Sequence, residues 1–284
     1  MSFALYIENQ KQEVLDLTND ASYTVVQVDG LDPPDAQIST TKRIGYDGED
    51  IQSVYVEPRT ITIYIVMYGD VEEARLRLYQ YARIKQYLKV RYRNAHRDVV
   101  AEGTVQGIQY DHFAQIPMMQ IVVYCQYPYL RNIDTITDGG SQIQPAFGFV
   151  FSCENGNTFE FGTFLEIPEI VALNSGEVVT GIRFIFRMNG IVKNPKIFNR
   201  ATGQFIALEY DFQAGDVVTL STHFGDKYAQ LLRNAQTINI FNAITKDSTW
   251  MQMDVGDNVF VFEAAQGQDM IELSIIHTDE YEGV

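Results

Sequence analysis

The sequence predicts a mainly β protein of two domains, with a helix-bearing β domain over residues 1–135 and a helix-free sandwich over residues 136–284. Three observations carry this. The chain has 284 residues, about twice the usual domain length. In its first half, apolar residues alternate with a period of two, interrupted once by a stripe that steps by three or four. In its second half, short strand-like runs recur with turn signals between them and no helical stripe, the pattern of a jelly-roll sandwich.

The elements follow in order. "YTVVQVDG" (23–30) is rich in β-branched residues and stops at Asp29-Gly30, and "LDPPDAQIST" (31–40) is a proline-stiffened loop leading into a new extended run. "RTITIYIVMYGD" (59–70) sets Thr60, Thr62 and Tyr64 against Ile61, Ile63 and Ile65, a strand with one buried face. From Asp70 the period changes: Val71, Ala74, Leu78, Tyr81, Ile84 and Leu88 form one apolar stripe, predicting a helix over 70–88. Asp70 is a good N-cap with Glu73 three residues on, and Glu72, Glu73, Lys85 and Lys89 are placed to suit the helix dipole. "LKVRYRN" and "RDVVAEGTVQGIQYDHF" read as two strands joined at Asn94–His96, with "IPMMQIVVYC" (116–125) a third. Gly103 and Gly107 inside a strand pattern indicate a bulge or a close backbone approach.

Residues 125–149 read as a linker, with Asp138-Gly139-Gly140-Ser141 as flexible punctuation, so that a chain ending near Asp134 is expected to fold alone. Beyond it, Asn155-Gly156 and Asn189-Gly190 are favoured hairpin turns. The acid is concentrated here: 13 Lys/Arg stand against 18 Asp/Glu up to residue 137, a net −5, and 8 against 19 after it, a net −11.

A net charge of −16 argues against an outer surface that holds phosphates. The stretch "KVRYRNAHRD" (89–98) is the exception, with Arg91 and Arg93 on one strand face. A solvated hairpin is favoured there over a charged protein–protein contact. A phosphate-binding ridge is disfavoured, because no aromatic-rich basic surface continues it. Cys125 and Cys153 have no CxxC spacing and read as two buried thiols. The N-terminus lacks the pattern of a signal peptide, and no apolar run approaches a membrane span, so a soluble protein made in a cytoplasm is expected. His96, His112, His223 and His277 are scattered, giving a metal site no local support, and no nucleotide-binding or nucleophile motif is present. Glu160, Glu166, Glu209 and Asp211 are the strand carboxylates that a glycosidase would draw on, but chance alone supplies close pairs in so acidic a segment. Trp250, in an alternating run with Met251, Gln252 and Met253, fits core filling or the lip of a groove, with core favoured.

Taken together, "LTNDASYTVVQVDGLDPP", "YDGEDIQSVYVEPRTITIYI", "YLKVRYRN", "CQYPYLRN", "LNSGEVVTGIRFIF", "NPKIFNRATGQFI", "AGDVVTL", "STWMQMDVGDNVFVFEA" and "YEGV" resemble, in order and spacing, the distal tail (Dit) family of long-tailed, non-contractile phages. The resemblance spans essentially the whole chain. It implies a β-barrel or sandwich-like N-terminal domain with a flanking helix that packs into a homohexameric ring, and a galectin-like C-terminal sandwich. It further implies a structural, non-enzymatic hub without cofactor or metal, located at the virion tail tip and made in the host bacterial cytoplasm. The implied partners are the tail tube, tape measure and tail-associated lysin or fibre proteins, together with receptor-binding proteins. DNA would pass through the lumen without specific binding, and no membrane insertion is implied. On this view Arg91 and Arg93 stand at or near a subunit contact, and Trp250 is a candidate carbohydrate or partner contact. The alternative is a carbohydrate-binding sandwich that recognises the host surface. The C-terminal domain lacks large inserted carbohydrate-binding domains, which lowers the expectation of direct receptor binding.

Overall fold

The computed structural model describes residues 3–45, 47–140, 142–144, 163–165 and 169–284. The chain forms two compact units: residues 1–134 with 280–284, and residues 135–279. The last five residues belong with the first unit, whereas the sequence pattern groups them with the sandwich.

The first unit contains β1 (Ala4–Asn9), β2 (Val14–Asp16), β3 (Tyr23–Asp29), β4 (Ala36–Lys42), β5 (Glu49–Val56), β6 (Arg59–Met67), α1 (Val71–Tyr81), β7 (Tyr87–Arg93), β8 (Asp98–Tyr110), β9 (Met118–Cys125) and β10 (Leu130–Asn132). Its main sheet runs β2-β1-β7-β8-β9-β6-β3 as an open path, not a closed barrel, while β4 and β5 form a separate two-stranded ribbon. The alternation read from sequence puts Ile61, Ile63 and Ile65 beside Met119, Ile121 and Val123, all fully buried. Helix α1 presents Ala74 and Leu78 to the same core, and the Tyr23 hydroxyl donates to the Ala74 carbonyl at 3.0 Å. Asp70 caps α1 by accepting from the Glu73 amide.

The helix ends at Tyr81 and not at residue 88. Lys85 takes a left-handed φ of 64°, and its amide donates to Val105, whose own amide donates to Gln86; these backbone groups serve β8 instead of a further helical turn. Leu88 is buried from strand β7, Ile84 is exposed in the turn, and Lys85 and Lys89 lie beyond the helix dipole. The glycine reading holds. The β8–β9 register shifts between Val105 and Gly107, and a Cβ on Gly103 would sit 2.5 Å from the Tyr124 carbonyl oxygen.

The second unit contains β11 (Ile136–Gly140), β12 (Gln142–Gln144), β13 (Thr163–Leu165), β14 (Glu169–Asn174), β15 (Arg183–Met188), β16 (Val192–Asn199), β17 (Phe205–Ala207), β18 (Asp211–Phe212), β19 (Val217–Ser221), β20 (Tyr228–Arg233), β21 (Gln236–Asn239), β22 (Gly256–Gln266) and β23 (Ile271–His277). One sheet runs β11-β23-β15-β19-β20-β21 and the other β14-β22-β16-β17, with β18 beside β16; β12 and β13 pair with each other. Inward residues of both sheets form one core, in which the rings of Phe184 (β15) and Phe260 (β22) meet edge to face at 5.5 Å.

Two turn and linker readings are corrected. Residues 136–140 are a strand paired along its length with β23, so "TITDGG" is an edge of the sandwich and no flexible tether. Asn189-Gly190 leads from β15 in one sheet to β16 in the other, so it makes no hairpin. Asn155-Gly156 lies outside the described residues. Among the described residues, the mainly β class with one α-helix is as expected.

Candidate functional site

The hairpin β7–β8 displays the basic stretch. Asn94 shapes its tip: its amide donates to the Arg97 carbonyl, and its Oδ1 accepts from the amides of His96 and Arg97. On the outer face of the sheet, Arg91 grips Asp98 through two hydrogen bonds of 2.7 and 2.5 Å and lies over the Tyr6 ring at 5.5 Å. The Asp98 pairing holds the Arg91 guanidinium above its ordinary pKa. Arg93 reaches the same carboxylate at 3.7 Å and is the more exposed of the two. Lys89 lies between Glu8 (3.7 Å) and Glu102 (3.8 Å). Arg97 turns towards the C-terminus, with its guanidinium 4.5 Å from the Tyr281 ring centre and donating to the Gly283 carbonyl. The cations of this stretch are thus met by acids, aromatic rings and carbonyls of their own chain, an arrangement that leaves no ridge of open positive charge for phosphates.

The last residues form a second constellation, one that sequence reasoning did not find. Strand β24 (Glu280–Tyr281) pairs with β10. Glu280 is 2% exposed; it accepts from the Tyr127 hydroxyl and, at 3.3 Å, from Arg131. Burial pushes the Glu280 carboxyl above its ordinary pKa, opposed by these two donors. Arg59 is 4% exposed and forms the centre of this clasp. It donates to the carbonyls of Pro128 (2.6 Å), Gly30 (2.6 Å), Asp32 (3.0 Å) and Glu282. A Cβ on Gly283 would lie 2.8 Å from Pro33 Cδ, so the tail passes here because the position is glycine. Three stretches far apart in sequence, "GLDPP", "YPYLRN" and "EYEGV", converge on the arginine of a fourth, "EPRT". The available signal was an arginine opening a strand whose inward positions are otherwise apolar.

Trp250 packs, partly buried, against the core that Met251 and Met253, both fully buried, help to form. The half-buried indole stacks on Phe241 at 5.5 Å, and the Lys227 ammonium lies 5.4 Å from its centre. Glu209 and Asp211 are exposed, and Asp211 faces Lys193 at 3.9 Å; Glu160 and Glu166 lie outside the described residues. Cys125 is a buried free thiol that burial raises to a pKa of about 11, and Cys153 lies outside the described residues. His277 is fully buried between Asp138 (3.3 Å) and Asp279 (3.6 Å). Among the described residues, no group of three or more His, Cys, Asp or Glu is placed to hold a metal ion.

Residues 175–281 match the family described as siphovirus-type tail component, C-terminal domain. No curated protein matches the chain by sequence. Among solved structures, the SPP1 Dit (gp 19.1) protein, described as a paradigm of the hub adsorption apparatus in Gram-positive infecting phages, aligns with a TM-score of 0.68 at 14% identity over 99% of each chain. Chains of the phage P2 baseplate in its activated conformation align over 100% of each chain, at TM-scores of 0.55 with calcium (12% identity) and 0.53 with strontium (11% identity).

Proposed function

We propose that the chain is the structural hub of a phage tail tip, because residues 175–281 match the siphovirus-type tail component, C-terminal domain, and 99% of the chain aligns in fold with the SPP1 Dit protein, as its resemblance to the distal tail family implied. The observation that carries this reading is the coincidence of two separate likenesses on one chain, a family match over residues 175–281 and a fold match covering 99% of the chain. In this role the first unit packs side by side into a homohexameric ring. The ring joins the tail tube and tape measure proteins above to a lysin or fibre protein below. The second unit, a galectin-like sandwich, anchors receptor-binding components. The protein resides in the virion tail after synthesis in the host cytoplasm, and it catalyses nothing.

Charge supports the same reading. A chain of net −16 repels DNA from any surface its acids line, which suits a passage that DNA must cross without adhering. The ion pairs of β1, β7 and β8 leave the hairpin cations matched, so Arg91 and Arg93 act as the charged rim of a subunit contact and not as a nucleic-acid grip. Light scattering of the full-length chain at micromolar concentration tests the assembly, with a hexamer or a pair of hexamers expected. A monomer at every concentration and ionic strength contradicts it.

A further inference from the structure

The ribbon β4–β5 is half of an interface. Every residue of β4 is exposed, and in β5 only Asp50 and Val56 are partly covered. Among the described residues, neither strand pairs with anything but the other. Opposite residues of an antiparallel pair share a face, as do alternate residues along a strand. Ala36 opposite Val56, Ile38 opposite Val54 and Thr40 opposite Ile51 therefore form one mostly apolar face, closed at the tip by the paired charges of Lys42 and Glu49, while Gln37 with Tyr55 and Ser39 with Ser53 form the polar one. Ile38, Ile51 and Val54 are 53, 64 and 58% exposed. A lone two-stranded ribbon is marginal in water, and this one exposes the side chains that a third layer would cover.

The same unit carries a face of matching size and character. On the outer side of the main sheet, Thr62 and Tyr64 of β6 lie beside Met118, Gln120, Val122 and Tyr124 of β9. None of the six is charged, although the chain has 58 charged side chains, 21 Lys/Arg and 37 Asp/Glu. Met118 and Tyr124 are 40 and 42% exposed. The ribbon and this strip are each about 25 Å long and roughly 10 Å wide, from the rise and spacing of strands.

We propose that the ribbon of one copy docks, apolar face down, on the β6–β9 strip of a second copy. This inference rests on the ring reading and specifies its contact. Charge selects the occupant. Copies of net −16 repel each other except through surfaces with little net charge, and both surfaces meet that condition. The ribbon's tip neutralises itself through Lys42–Glu49 at 3.5 Å and an Arg43–Asp50 pair. Donor and acceptor are different patches of one chain, the heterologous arrangement that closes into a ring. The ribbon face alone buries roughly 500 Å² counted over both partners, about half of what a specific contact needs. The paired charges of β1, β7 and β8, on the same outer face as the strip, supply the rim.

Analytical ultracentrifugation and hydrogen exchange on the full-length protein test this. The ribbon variant Ile38→Asp/Val54→Asp and the strip variant Val122→Glu should each raise the concentration of half-assembly at least tenfold. Ser39→Asp, on the polar face of the ribbon, should leave it unchanged. Circular dichroism should report the native fold in the ribbon variant, whose altered side chains are exposed. Mixing the ribbon and strip variants should give dimers, since the mixture retains one intact ribbon and one intact strip. Amides 36–56 should be protected in the assembled wild type and exchange freely on dilution. Wild-type assembly with an unaffected ribbon variant and unprotected ribbon amides overturns this contact while leaving the ring intact. A wild type that stays monomeric overturns the ring, and the docking with it.

Discussion

Arg59, at the start of β6, donates a hydrogen bond to the backbone carbonyl of Glu282, 223 residues further along the chain. The same guanidinium serves Gly30, Asp32 and Pro128, so one buried cation ties the loop after β3, the segment before β10 and the C-terminal tail together. It is charged and nearly inaccessible, which is tolerable because every bond it makes is to an oriented carbonyl.

Arg59→Met should therefore destabilise the first unit by several kcal/mol, since it leaves four carbonyls without their donor and a buried group left unsatisfied costs about 1–3 kcal/mol. Arg59→Lys should recover part of the loss, since an ammonium keeps the charge but cannot reproduce the planar fork. Denaturant unfolding followed by far-UV circular dichroism checks both.

A chain ending at Asp134 lacks β24 and the partners that Glu282 and Gly283 give to Arg59 and Arg97. It should be less stable than the same unit within the full chain, contrary to the expectation of an independent first domain drawn from sequence. Joining residues 280–284 to its end through a flexible linker should restore the difference. Equal stability of the two forms would show the clasp to be dispensable.

Arg91→Ala/Arg93→Ala should cost little. Arg91 loses Asp98 and Tyr6 at a partly exposed site, where such pairs contribute about 0.2–1 kcal/mol. Assembly should persist with an altered salt dependence, as expected for a rim. Duplex retention at physiological salt should be negligible in wild type and variant alike. Salt-sensitive DNA binding that the variant loses would overturn the structural reading of this hairpin.

Two buried carboxyls should bend the pH profile in opposite directions. Asp216, gripped by Arg233 at 2.8 and 2.5 Å, is held below its ordinary value of 3.8, so its contribution is present above that value and lost as pH falls through the depressed one. Glu280 is held above its ordinary 4.5 by burial, so the folded state takes up a proton before the unfolded state does. Stability then falls as pH rises from the ordinary value through the raised one. Glu280→Gln should flatten that part of the curve, and Asp216→Asn should remove the acid-side loss. Thermal unfolding at a series of pH values reads both.

The sequence made legible what period and turn chemistry control. The Ile61–Ile65 alternation, the Asp70 cap, the bulge at Gly107 and the turn at Asn94 appear where local preference and tertiary packing agree. It misled where one residue satisfies two patterns. Leu88 continues the helical stripe and also fits the strand that claims it. Asp138-Gly139-Gly140 has poor strand propensity, yet an edge position against β23 accepts it. Asn189-Gly190 has hairpin chemistry, but whether a turn returns to the same sheet is decided by the core. The clasp around Arg59 was beyond reach because its partners are carbonyls, whose positions no side-chain pattern encodes. The ribbon β4–β5 was read only as an extended run, since its character depends on the absence of a covering layer.

Negative-stain electron microscopy of the purified full-length protein tests the central claim most directly. Closed rings with six-fold symmetry are expected. Isolated particles of single-chain size at every concentration and ionic strength would contradict it.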